Sequence, residues 1–76
     1  MMRVSEYAVI LVHSTSHAVQ AERVLKRGAV EVKLIPTPRE ISSDCGSALR
    51  IRRQDRARCE ELLAAAGVPI DRVEDV

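Results

Sequence analysis

Two cysteines and two histidines are the side chains of this 76-residue sequence that join nucleophilic or soft-ligand character to a pKa near neutrality. Cys45 is followed by Gly46 near the end of a run, Ile35 to Ser47, that also holds Pro36, Pro38, Ser42 and Ser43. A polar loop is not where structural cysteines are usually buried. Glycine beside the sulfur permits unusual backbone angles and leaves one side of the thiol open. This context points to a presented thiol, nucleophile or carrier, against the plainer reading of a small residue filling a loop corner. Cys59 shares helical spacing with Leu62, Leu63 and Ala66 and reads as core.

His13 could act as an acid/base partner or soft ligand for Cys45, or simply end a strand; His17 reads as an exposed residue of a first helical turn. His13, His17 and Cys45 together carry soft-metal donors, but their spacing matches no metal motif, and no metal site is expected. Arg39 suits an anionic substrate, or a loop-bracing ion pair with Glu40 or Asp44. Asp44, next to Cys45, opposes formation of a second anion.

The elements that must position these residues follow from periodicity. "EYAVILVH", Glu6 to His13, is apolar and β-branched without a breaker and reads as a central strand. Ser14, Thr15 and Ser16 are each suitable caps for a helix carrying Ala18, Ala21, Val24 and Leu25, ended by Lys26, Arg27 and Gly28. Val30 to Ile35 alternates apolar and charged residues, with Val30, Val32 and Leu34 on one face. Ala48 to Arg52 alternates again, with Leu49 and Ile51 inward. Asp55 can cap a second helix running through Ala66, closed by Gly67 and kept from resuming by Pro69. "DRVEDV" is a short final strand.

The order β-α-β-β-α-β predicts one α+β domain over residues 1–76, a ferredoxin-like sandwich with two helices on one face of a four-stranded antiparallel sheet. Right-handed crossovers make the first two strands parallel, with the third antiparallel between them. The end of the first strand (His13, Ser14, Thr15) and the connection from Pro36 to Gly46 then share one edge of the sheet. Cys45 would face the start of the first helix, where unpaired N–H groups and a partial positive charge favour a thiolate. The long connection is stiffened by its prolines, and Ser42 and Ser43 can bond local backbone. We expect His13, Ser14, Thr15, Ser42 and Ser43 to line a binding site around Cys45.

Composition narrows the function. The chain has no Phe or Trp and one aromatic, Tyr7, so its core must be Val, Ile, Leu and Ala; modest stability and homodimer formation are expected. A net charge of +1 gives no global attraction to nucleic acid or membrane. Lys33, Arg50 and Arg52 fall on the sheet face away from the helices. RNA-reading sheets of this topology need exposed aromatics, so a solvated or dimer-forming face is expected instead. The only uninterrupted apolar run near the start, Ala8 to Val12, is too short for a signal or a membrane span, and a cytoplasmic protein with reduced thiols is expected. There is no C-x-x-C pair, no triad, no paired buried carboxylates and no phosphate-cradling glycine loop. The expectation is a carrier or binding protein without turnover or cofactor.

The stretch "HSTSHAVQAERVLKRGAVEVKLIPTPREISSDCGSALRI" resembles the family of small bacterial selenium/sulfur carrier-like proteins, themselves of unknown function. "HST" before the first helix, the "LIPTPREISSDCG" run and the "ALRI" strand carry the resemblance, which spans Tyr7 to about Gly67. It implies that Cys45 is the carrier thiol, holding sulfur or selenium as a persulfide or selenopersulfide, with Gly46 completing the family's Cys-Gly pair. Asp44 stands where the family often has serine. A cysteine desulfurase-like donor and a sulfur or selenium acceptor protein would then be the partners. The alternative is a small anionic-ligand or protein-binding module, its anion site made by the proline-rich loop and the first helix, with no thiol chemistry.

Overall fold

In a computed structural model of the chain, residues 6–37 and 46–75 are described. The elements are β1 (Tyr7–Leu11), α1 (Thr15–Arg27), β2 (Val32–Pro36), β3 (Ser47–Arg52), a 3-10 turn (Arg53–Asp55), α2 (Arg56–Ala65) and β4 (Arg72–Asp75). The strands form one sheet in the order β2-β3-β1-β4, with every neighbouring pair antiparallel. This is the α+β ferredoxin-like arrangement expected from the sequence.

Alternation along the strands divides the apolar residues between two faces. Ala8, Ile10, Leu49, Ile51 and Val73 meet Ala18, Ala21 and Leu25 of α1 and Cys59 and Leu63 of α2 in one core, so both helices lie on the same face. On the other face Val9, Leu11 and Ala48 are buried and packed with Ile35. Burial on both sides explains why β1 is an unbroken apolar run while its neighbours alternate. The edge strand β2 is thinner cover: Val32 is half-buried and Leu34 is 37% exposed.

Each helix end shows its local cause. Ser14, at φ −151° and ψ 159°, caps α1, its Oγ accepting from the His17 N–H at 3.4 Å. At the other end Gly28 has φ −82°, and the left-handed residue is Ala29 at φ 61°. Glycine at 28 has a close neighbour instead of a turn to make. A Cβ there would sit 2.6 Å from Leu62 Cδ1, and Arg58 Nη2 donates to the Gly28 carbonyl at 3.0 Å. Position 28 is thus where α1 touches α2. Asp55 occupies the position before α2 but makes no side-chain cap, because the chain arrives through the 3-10 turn rather than in an extended conformation. Gly67, at φ 72°, ends the second helix as expected.

Candidate functional site

β1 and β3 bring His13 and Gly46 to one edge of the sheet. Leu11 pairs with Ala48, so His13 lies two residues beyond the last pair on one strand and Gly46 two residues before it on the other. β2 and β3 stay together to the same level: Pro36 pairs with Ser47, and the Thr37 N–H donates to the Gly46 carbonyl at 3.0 Å. The connection between them therefore comprises residues 37–46, shorter than the span read from Ile35 to Ser47. Of the expected site residues, His13, Ser14, Thr15 and Gly46 are described; Arg39, Ser42, Ser43 and Cys45 lie outside the described residues.

Gly46 is exposed, and a Cβ added there would meet nothing within 4 Å. Open space at Gly46 agrees with an accessible start to β3. The start of α1 carries no acidic residue in its first turn, so no carboxylate of that turn offsets its partial positive charge. Ser14 is committed to capping the helix, and His13 and Thr15 flank it on either side. His13 is exposed. His17 departs from expectation: it is half-buried, and its Nδ1 is sealed from solvent with no hydrogen-bond partner among the described residues. Its place four residues before buried Ala21 turns the ring toward the protein body.

Arg72 lies opposite Leu11, near this edge of the sheet. It is already engaged, with Nε 2.7 Å from Glu74 Oε2 and Nη1 3.1 Å from Asp71 Oδ2. Those carboxylates, the Glu74 hydrogen bond first, raise its pKa further. Among the described residues no cluster of His, Cys, Asp and Glu could hold a metal ion.

Cys59 is fully buried within the core. Burial, helped by the nearby Asp55 carboxylate, pushes its thiol up to about 11 from the ordinary 9.0. At neutral pH it is a packed thiol and not a nucleophile.

Two concavities lie away from the loop edge. One, of about 400 Å³, is bounded by Glu6, Arg52, Arg53 and Gln54. The other, of about 200 Å³, lies on the helix-free face against Tyr7, Glu31, Lys33, Arg50 and Arg52. There the Arg50 guanidinium stands 4.4 Å from the Tyr7 ring centre and that of Arg52 5.9 Å. Sequence reasoning placed Lys33, Arg50 and Arg52 on this face but overlooked the stacked tyrosine. The signal was the phase of β1, which puts Tyr7 on the same side as Val9.

The chain belongs to the family described as Putative Se/S carrier protein-like, whose profile matches residues 6–73. The match covers both halves of the loop edge and the whole sheet except the last residues of β4. No significant match was found among curated proteins or among solved structures.

Proposed function

We propose that this protein carries sulfur or selenium as a persulfide or selenopersulfide on Cys45, receiving it from a cysteine desulfurase-like donor and passing it to an acceptor protein. The observation that carries the reading is an elimination. The chain has two cysteines, its family is Se/S carrier-like, and Cys59 is sealed in the core with a thiol pKa near 11. That leaves Cys45 as the thiol for persulfide chemistry on this chain. Supporting it, the residue bonded to Cys45, Gly46, is exposed at the edge where α1 begins.

The chemistry needs no outside oxidant. The Cys45 thiolate attacks the terminal sulfur of a donor persulfide; a new S–S bond forms, the donor's S–S bond breaks, and the donor leaves as a thiolate. The transferred atom keeps its oxidation level, so the reverse displacement by an acceptor thiolate unloads it. Arg39 would supply positive charge near the sulfur, and Ser42, Ser43, His13 and Thr15 hydrogen bonds to the loaded group. A reducing cytoplasm suits a thiol that must stay free between loads.

The test is intact-mass spectrometry after incubation with glutathione persulfide. Gain of one sulfur that vanishes in Cys45→Ser and persists in Cys59→Ala supports the proposal. No adduct on the wild-type chain, or an adduct that survives Cys45→Ser, removes it.

A further inference from the structure

On the sheet face without helices, Lys33 and Arg50 are direct cross-strand partners in the β2–β3 ladder. Like charges placed opposite each other destabilise a sheet, and the usual remedy is a neighbouring carboxylate. Arg52 has one: its Nε lies 3.0 Å from Glu31 Oε1. Among the described residues Lys33 and Arg50 have no ion-pair partner, and the available Glu74 on the far side of the face is committed to Arg72. The two cations border the 200 Å³ concavity, whose other lining includes Tyr7 and Arg52.

Two details distinguish this arrangement from a merely solvated patch. Tyr7 is the chain's single aromatic residue, and it is half-buried on this face instead of in the aliphatic core. Its ring carries the Arg50 guanidinium at 4.4 Å, which holds the fork in place and lowers the ordering cost of binding through it. The concavity is also below the roughly 300–1,000 Å³ of sites for drug-sized ligands. It has room for one compact group.

We propose that this concavity binds a phosphoryl group, with the Arg50 fork as bidentate donor, the Lys33 ammonium as point charge from the adjacent strand, and Tyr7 as the platform that fixes Arg50. Planar guanidinium and tetrahedral oxyanion match in geometry and charge. A bound dianion also relieves the Lys33–Arg50 repulsion. Glu31 keeps Arg52 from competing and sets one wall of the site. The proposal is independent of the thiol reading, because none of its residues belongs to the loop edge.

The experiment is a titration of the isotope-labelled full chain, followed by amide NMR, with inorganic phosphate and separately with adenosine monophosphate, at constant ionic strength held with chloride. Saturable shifts centred on Tyr7, Lys33 and Arg50 are expected with at least one of the two. Saturation by free phosphate identifies the bare ion as sufficient; saturation by the nucleotide alone identifies a phosphoryl group on a larger molecule. Arg50→Gln should weaken binding about tenfold, the usual effect of losing a charge-assisted hydrogen bond. Lys33→Gln, on an exposed edge-strand residue, should weaken it several-fold without endangering the fold, and Arg53→Gln should leave it unchanged. Shifts that fail to saturate with both ligands, or binding that survives Arg50→Gln and Lys33→Gln alike, overturn the proposal. Neither result bears on chalcogen loading of Cys45.

Discussion

Cys59 permits a quantitative check on the elimination behind the carrier reading. In a Cys45→Ser background it is the chain's single thiol, so alkylation by iodoacetamide, read by intact mass, reports on it alone. Burial raises its pKa from 9.0 to about 11, which lowers the thiolate fraction at pH 8 roughly 100-fold relative to the unfolded chain. Zero solvent exposure of the side chain can only slow the reaction further. The native rate at pH 8 should therefore be at least about 100-fold below the rate in denaturant. The same shift has a thermodynamic face. The folded state holds this proton more tightly than the unfolded state, so the associated stability is complete below pH 9 and is lost as pH rises toward 11. A two-unit shift corresponds to a loss on the order of 2–3 kcal/mol. Other groups titrate in that window, so the measurement is the difference in urea-unfolding free energy between this single-cysteine chain and its Cys59→Ala derivative, at pH 8 and pH 10.5. The difference should shrink by most of that amount. A native alkylation rate within a few-fold of the denatured rate would refute the burial argument and restore Cys59 as a second candidate carrier.

Two further changes probe the scaffold. Gly28→Ala should lower stability by about 1 kcal/mol, because the crowding of Leu62 at 2.6 Å outweighs the ordinary gain of replacing glycine where φ is negative; thermal unfolding should shift down by several degrees, and a rise would show that Leu62 swings away freely. Ser14→Ala removes the α1 cap and should cost about 0.5–1 kcal/mol, the lower part of the usual range because its hydrogen bond is long at 3.4 Å; an unchanged urea midpoint would mean that Thr15 or Ser16 takes over the role.

The sheet and its order were readable because each strand carries its own pattern. β1 is apolar throughout, as a strand buried on both faces must be, while β3 alternates because one of its faces carries Arg50 and Arg52. Topology then followed from handedness, and with it the meeting of His13 and Gly46 at one edge. The details that escaped are those decided by contacts between distant segments. Gly28 reads as a helix stop in isolation; only the approach of α2 shows that Leu62 packs close against it. Asp55 has the right chemistry for a cap, yet the 3-10 turn gives it the wrong backbone. His17 looks exposed from its position at the start of a polar helix, and its half-burial depends on what packs against the first turn. Tyr7 and Arg50 are 43 positions apart, and their stacking appears once the β1–β3 register is known.

That placement of Tyr7 also decides what light can see. With no tryptophan and one tyrosine, near-ultraviolet absorption and emission from this chain come from a single ring lying under two guanidinium groups on the outer surface. The aliphatic interior is optically silent. A spectroscopist following intrinsic emission would be recording events on the helix-free face, and loss of the interior packing would have to be followed through the backbone signal in the far ultraviolet.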